Sequence, residues 1–598
     1  MDNFAHRIKE KTRAGFQRLK NNLSEKSAKL TRKPSANEGS SSTSPSVPPK
    51  SNDHQQQQSS IEQHVVQLNL SEAPLPQLPI GPHLSSSSTS VTPHHAVHKD
   101  PSISHQSDNS QVLYDQRFAP SKAGWSNWAG NQSCDPGQIF YPKTLADIQA
   151  LVVQAKQAGK KVRCAGSGHA WSSSSVVPPG GYLAIMNKME KCHTPLLDEE
   201  GVWTVTVETG VQVKNLDDFL KAHKPPLALP SNVVLDSVRY GGILSLGCHG
   251  AATHTRTLPD LVTEVTIVDA DGHLNTFTRA TNPAEFSAAT INLGLLGVIY
   301  TYTMRVDVAD YNMHSTDSYP PLSDYFDSPT LGGPKLKAMV EANDSTELFY
   351  WPFNTPALDA ANDKLWIKQW QRTKLPVTVS PEQEAIDTLF QNLATEFGNK
   401  LLYEYMATHP SCTPFVNSLL FGAFGAGERV QTVADAIHYQ AGIENIKCLD
   451  MEMAFKCNAD YSNVVKAWNY VIDQMYEYSH RNEFPFNLAL EMRFVKSSSM
   501  LLSNAYDDDP EAVYCMMEIL SVKGTQGFEE FAAKIAQYWI QECHARPHWA
   551  KMWEFIPGIV PYLRTQAGDR FDQFEAIRAK YDPQGMFLNS TFAGLLGH

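Results

Sequence analysis

Four short stretches combine residue types that could do redox or acid–base chemistry. In Arg163-Cys164-Ala165-Gly166-Ser167-Gly168-His169-Ala170-Trp171-Ser172 a histidine follows a glycine-rich turn directly. Glycine lets backbone N–H groups approach an anionic ligand closely, and a neutral imidazole is a competent nucleophile. Tyr240-Gly241-Gly242-Ile243-Leu244-Ser245-Leu246-Gly247-Cys248-His249-Gly250 repeats the combination of glycines and a histidine. Neither stretch is a Walker A loop, because GxxxxGK[ST] is absent, and neither is a GxGxxG opening a helix. The third stretch, Glu491-Met492-Arg493, sets a carboxylate and a guanidinium two residues apart. On a strand, Leu488, Leu490, Met492 and Phe494 share one face, and Glu491, Arg493 and Ala489 the other. A carboxylate can orient or deprotonate a hydroxyl, and a guanidinium can stabilise developing negative charge. By pattern alone, an ordinary solvated face is the favoured reading of the same pair. The fourth stretch is His548-Trp549-Ala550-Lys551.

The elements that must carry these residues alternate at first. Thr144 is placed to cap a helix with Asp147 in its first turn, an apolar stripe of Leu145, Ile148, Leu151, Val152 and Ala155, and Gly159 beyond its end. Strands are expected over 161–165, 182–186, 202–207, 261–268 and 297–306, with helices over 214–223 and 283–289. Asp271-Gly272 signals a hairpin returning along 274–278. From about Asp307 the pattern changes. Strands are expected over 347–352, 365–371, 448–456 and 488–496, and helices over 381–397, 461–479 and 528–542. Such a mixture without repeating βα units implies an antiparallel sheet backed by helices. Glu452, in Asp450-Met451-Glu452-Met453, alternates against apolar neighbours and could lie beside the Glu491/Arg493 pair, but is expected to face solvent.

Composition narrows the class. Of 598 residues, 42% are apolar, enough for a large core. No run approaches the roughly 18 apolar residues of a spanning helix, and Met1–Lys20 is too polar for a secretory signal. The expectation is therefore an intracellular protein, cytoplasmic or peripheral on an organelle (mitochondrial) membrane. A net charge of −13 argues against nucleic acid as a partner. Nine widely spaced cysteines without a CxxC imply neither a disulfide framework nor a zinc ribbon, and the dispersed histidines imply no metal. Residues 1–112 are dominated from Asn37 onward by Ser, Pro, Gln and His and read as a disordered tail. Residues 1–33 hold ten Lys/Arg against three Asp/Glu, with Phe4, Ile8, Phe16, Leu19, Leu23 and Leu30 at helical spacing. That fits a peripheral membrane contact, an import segment or a solvated tail.

Taken together, the motifs resemble the sugar-1,4-lactone oxidases, the L-gulonolactone and D-arabinono-1,4-lactone oxidases, within the vanillyl-alcohol-oxidase superfamily of FAD enzymes. The resemblance spans about 124–598 and includes a C-terminal Asp582-Pro583-Gln584-Gly585-Met586-Phe587-Leu588-Asn589. It implies an α+β chain: a two-subdomain FAD-binding domain (113–306), a cap domain with an antiparallel sheet and helices (307–560), and a segment (561–598) returning to the FAD site. It implies FAD contacts from Arg163, Ala165, Gly166, Ser167, Gly168, His169, Ala170 and Ser172. Further contacts are implied for Gly241, Gly242, Ser245, Gly247, His249, Gly250, Val298, His548, Lys551 and Asn589. His169 matches the histidine that commonly bonds the flavin 8α carbon. Glu491 and Arg493 match a substrate-site pair, and Lys551 is placed to set positive charge near flavin N1.

The implied reaction oxidises an aldono-1,4-lactone (D-arabinono-, L-gulono- or L-galactono-) at C2 with O2, giving an ascorbate-type product and H2O2. Other readings are a flavin oxidase of an alditol or sterol, a lactone dehydrogenase with another acceptor, and a scaffold whose tail recruits partners.

Overall fold

The computed structural model describes residues 124–598 except 356–357, 400–402, 423–425 and 441. The disordered tail and basic amphipathic start expected over residues 1–112 lie outside the described residues.

The glycine-rich half begins with a three-stranded parallel sheet, in the order Gln138–Phe140, Tyr182–Ile185, Val162–Ala165. Parallel strands need a crossover, here the helix Leu145–Gln157. Its start follows the sequence closely: Thr144 Oγ1 accepts from the Asp147 amide, and the Asp147 carboxylate accepts from the Thr144 amide. Ile148, Leu151, Val152 and Ala155 are buried against Phe140, Val162, Tyr182 and Val268. Gly159, just past the end, has φ +61°, the left-handed conformation that glycine adopts without steric penalty.

A second, antiparallel sheet runs Leu274–Thr278, Val262–Val268, Val298–Val308, Trp203–Glu208, Leu196–Leu197, with Leu227–Ala228 also paired to Val298–Val308. The hairpin expected around Asp271-Gly272 forms, with Gly272 at φ +84°. The second glycine-rich stretch is different from a loop. Tyr240–Ser245 is a short helix, and only Leu246–Gly250 is irregular. A Cβ on Gly241 would run into Thr209, so the glycine allows this helix to pack against the sheet.

The other half is built on an eight-stranded antiparallel sheet. Its order is Gly427–Gln431, Asn312–Ser318, Trp366–Thr373, Ser345–Tyr350, Ala489–Lys496, Val513–Val522, Cys448–Lys456, Arg546–Pro547. One face is apolar: Met451, Met453, Met517, Ile519, Leu490 and Met492 are fully buried in one core with the helices Pro329–Glu341, Ser462–Ser479 and Phe528–Cys543. Each such side chain contributes about 1.5–3 kcal/mol of burial. The C-terminal segment returns to the first half. The Asp582 carboxylate accepts from the amides of Met586 and Phe587, and the Val162 amide donates to the Met586 carbonyl. Among the described residues no helix is long and apolar enough to cross a membrane. Three of the nine cysteines are buried and six are half-buried.

Candidate functional site

Register explains how the second wall of the site arises. In the cap sheet Glu452 is paired with Glu518, and Glu518 with Glu491, across three neighbouring strands. One pairing further out, Arg493 lies opposite Glu347. Alternation therefore puts Asp450, Glu452, Glu518, Glu491, Arg493 and Glu347 on the face away from the methionine-rich core. That face closes a cavity of about 330 Å³ whose opposite wall is the 163–171 segment and the Tyr240–Ser245 helix.

The charged groups are organised around two cations. Arg493 Nη2 lies 2.9 Å from a Glu491 oxygen, and its Nε lies 3.2 Å from Glu347. The Lys551 ammonium donates to Asp450 at 2.6 Å and also to Glu518, and stands 4.7 Å over the Trp171 ring. Lys551 is held in place by its neighbours: the His548 amide donates to the Glu452 carbonyl and the Met552 amide to the Asp450 carbonyl.

Burial governs the protonation states. It pushes Glu491 up to about 8, reinforced by Glu518 and opposed by Arg493. Burial also raises Asp450, with Glu518 adding to it and Lys551 opposing. For Lys551 burial acts downward, but Asp450, Glu518 and Glu452 outweigh it and hold the ammonium well above the usual lysine range. Burial brings both His548 and His169 down to about 4, so both imidazoles are neutral at pH 7. Glu452 is held below the usual carboxylate range, because His249 and His548 beside it overcome its burial.

Glu452 corrects the sequence expectation. It is not at solvent but 2% exposed, and its Oε1 lies 2.6 Å from His249 Nε2. Its strand has no wet face, since both faces are covered. His249, Glu452 and His548 offer three ligand atoms within 4.8 Å of one another. The His249–Glu452 hydrogen bond already occupies two of the atoms a cation would need.

The structure brings most of the remaining expected residues to the same cavity. Ala165, Gly166, Ser167, Gly168, His169, Ala170, Gly241, Gly242, Ser245, His249, Val298, His548 and Lys551 line it, as do Glu491 and Arg493. Arg163 also lines it, but its guanidinium is spent on the carbonyls of Ser174, Leu293, Gly294 and Phe587. That side chain anchors the C-terminal segment instead of reaching for a ligand.

Four expected residues lie outside the lining. Gly247 faces Ile291, and Gly250 faces Ser231 and Asn232, each packed where a Cβ would crowd the neighbour. Ser172 is buried, and its amide donates to the Ala550 carbonyl. Asn589 caps the C-terminal helix Ser590–Leu596, accepting from the Phe592 amide and donating to the Ser173 carbonyl. It does return to the first half, but as a structural cap.

Sequence reading missed Glu518 and Trp128. Glu518 sits in Val513–Val522, whose near-continuous apolar run does not distinguish strand from helix. A lone carboxylate inside such a run was the available signal. The Trp128 ring stacks on His169.

The cavity fits FAD. Its lining joins a glycine-rich backbone wall to a charged wall. Gly242 has open space where a Cβ would stand, and His169 Nδ1 is buried with no hydrogen-bond partner.

Comparisons with known proteins agree. A family model described as FAD binding domain matches residues 136–278, and one described as D-arabinono-1,4-lactone oxidase matches residues 334–594. The chain is 24% identical to the L-gulonolactone oxidase of Scyliorhinus torazame, covering 78% of this chain and 96% of that protein. It is 25% identical to the L-gulono-1,4-lactone dehydrogenase of Mycobacterium tuberculosis, covering 79% and 99%. It is also 26% identical to the D-arabinono-1,4-lactone oxidase of Yarrowia lipolytica, covering 58% and 60%. Among solved structures, cholesterol oxidase from B. sterolicum superposes with a TM-score of 0.66 at 19% identity, covering 82% of this chain and 99% of that one, and shares the fold. With residues matching an FAD-binding model and residues matching a lactone-oxidase model lining one cavity, the chain is an FAD-dependent oxidoreductase similar to the sugar-1,4-lactone oxidases.

Proposed function

We propose that this protein oxidises the C2 hydroxyl of an aldono-1,4-lactone, of the D-arabinono or L-gulono/L-galactono type, with O2 as acceptor and H2O2 as by-product. The observation that carries the reading is the Glu491–Arg493 pair facing the same buried cavity as the His169 loop. When bound, FAD supplies the acceptor for the two electrons that leave C2 with its hydrogen. Glu491 takes the hydroxyl proton. Its high pKa suits that task, because a base poised near the working pH both accepts and returns a proton. Arg493, fixed between Glu347 and Glu491, lines the cavity and would stabilise charge developing on the carbinol oxygen. Lys551, locked by Asp450 and Glu518, offers a fixed cation against the negative charge that reduction brings into the cavity. His548 stays neutral and adds no competing cation.

On the opposite wall, the neutral His169 imidazole forms the covalent tether to the flavin, with the glycines on either side of Ser167 leaving the loop backbone close to it. Residues 113–306 are read as the FAD-binding domain, 307–560 as the cap, and 561–598 as the returning segment. The excess positive charge of residues 1–33 supports peripheral contact with an anionic membrane.

The test is a panel of aldonolactones, alditols and sterols offered to the purified protein, with anaerobic flavin bleaching and H2O2 release as readouts. Lactone turnover with stoichiometric H2O2 is expected. Turnover of a sterol or alditol alone would overturn the substrate assignment. A second reading, a lactone dehydrogenase, has support from the Mycobacterium relative of that name. Bleaching by lactone that reverses with an electron-accepting dye but not with O2 would favour it.

A further inference from the structure

The tether to His169 raises a question of aim, since a histidine side chain on a glycine-flanked loop is free to turn about two bonds. The structure removes that freedom with a segment outside the glycine motif. Residues 127–132 grip the loop backbone. The Trp128 amide donates to the Gly168 carbonyl at 2.7 Å, Asn127 Nδ2 to Ala170 at 2.8 Å, and Asn131 Nδ2 to Trp171 at 2.9 Å. The Trp128 ring then lies against the imidazole of His169, centroids 4.7 Å apart and planes 18° from parallel.

Trp128 is itself pinned from the cap half of the chain. Its indole N–H donates to the Glu444 carbonyl at 3.2 Å. Lys447 Nζ stands 4.1 Å from its ring centroid and donates to its carbonyl at 2.7 Å. Between them these contacts fix the plane of the imidazole, and Nδ1 of that imidazole is buried with no partner in a residue that lines the cavity.

We propose that Trp128 is the positioning residue of the flavin tether: its ring holds the plane of the His169 imidazole, so that a ring nitrogen meets the flavin in one orientation. The inference rests on the covalent reading of His169 given above. The chemistry balances: a methyl C–H at the 8α carbon and an imidazole N–H are lost, and one N–C bond forms. The two electrons and two protons released pass to molecular oxygen as H2O2. A stacked aromatic plane suits this step because it restricts rotation without contributing a proton or a charge of its own, leaving the nitrogen lone pair available. Correct aim before reaction converts a slow encounter into a rapid intramolecular one. Lys447 supports the same outcome twice, by pinning Trp128 and, after burial, by helping to keep the imidazole unprotonated.

The experiment compares wild type, Trp128→Phe, Trp128→Leu and His169→Ala, each expressed with FAD. Total bound flavin is measured by absorbance, and tethered flavin by the fraction that stays with the acid-precipitated, washed protein. Time courses follow addition of FAD to freshly purified protein. Trp128→Leu is expected to keep its total flavin while its tethered fraction or tethering rate falls at least fivefold. Trp128→Phe, which keeps a stacking ring, is expected to restore most of it. Equal tethering in Trp128→Leu and wild type would overturn the inference and leave the tether standing. No tethered flavin in wild type would overturn the tether itself, and the inference with it. Lys447→Met gives a second measurement should Trp128→Leu not fold: slower tethering at unchanged total flavin supports the inference, and an unchanged rate overturns it.

Discussion

The two walls of the cavity are chemically opposite, and the cap wall is the more deeply buried. The wall carrying His169 is mostly backbone: glycines, a neutral imidazole and carbonyls already paired. The cap wall holds Asp450, Glu452, Glu518, Glu491, Arg493 and Lys551 at close quarters. The contrast teaches where each kind of recognition is built. A long cofactor is held along its length by close-approaching backbone, which needs small residues in sequence and little charge. A reacting centre needs charges fixed before the reaction starts, and sheets supply that fixity, because neighbouring strands lock side chains in register.

Removing the proton acceptor should break the comparison most sharply. Glu491→Gln is expected to slow anaerobic flavin reduction by lactone about 10²–10⁴-fold, the usual worth of a positioned base. FAD content should not change, because that residue belongs to the cap wall alone. Stopped-flow absorbance on protein of matched flavin content checks both halves of the statement. Normal reduction in the variant would take Glu491 out of the mechanism.

Lys551→Met tests whether the cap wall is held by its cation. The substitution leaves Asp450, Glu518 and Glu452 crowded without their shared partner. Breaking a buried ion pair by removing one side costs about 3–5 kcal/mol. Thermal unfolding should register a loss of that order, with slowed flavin reduction in whatever protein remains folded. A variant as stable as wild type would mean the carboxylates take up protons to compensate.

A pH profile refines the same wall without any substitution. Burial holds Glu491 near 8, so its basic form accumulates as pH rises through that value. kcat/KM should therefore climb about tenfold between pH 7 and pH 9 and then level off. His169 and His548, held near 4, contribute no limb in that window. A profile flat from pH 6 to 9 would separate proton removal from the measured rate.

The two walls also differed in how plainly the sequence announced them. Gly166-Ser167-Gly168-His169 is contiguous, so its chemistry is visible in a single line of residues. The strand Cys448–Lys456 was placed to the residue, and the alternation of Leu490, Met492 and Phe494 against Glu491 and Arg493 holds as read. What alternation could not supply was the neighbour. A strand shows which residues share a face but not what covers that face, and Glu452 was therefore set in water when it lies against His249. Glu518 stayed hidden for the converse reason, inside an apolar run that both a helix and a central strand can produce. Asn589 illustrates a third limit. Its motif correctly indicates a return to the first half of the chain, while its side chain is used to cap a helix.

The smallest expected effect lies furthest from either wall, and it asks whether stability and chemistry are separable in this molecule. Thr144 and Asp147 close a reciprocal pair of hydrogen bonds at the start of Leu145–Gln157. Loss of such a cap typically costs about 1 kcal/mol. That helix buries Ile148, Leu151 and Val152 in the cluster that also holds Val162, and Val162 opens the strand leading into the His169 loop. Thr144→Ala should thus lower the unfolding free energy by about 1 kcal/mol while leaving flavin content and turnover unchanged at temperatures well below unfolding. A loss of turnover larger than the loss of folded protein would show that the loop takes its geometry from this helix, and the backbone wall would then prove as dependent on remote packing as the charged one is on register.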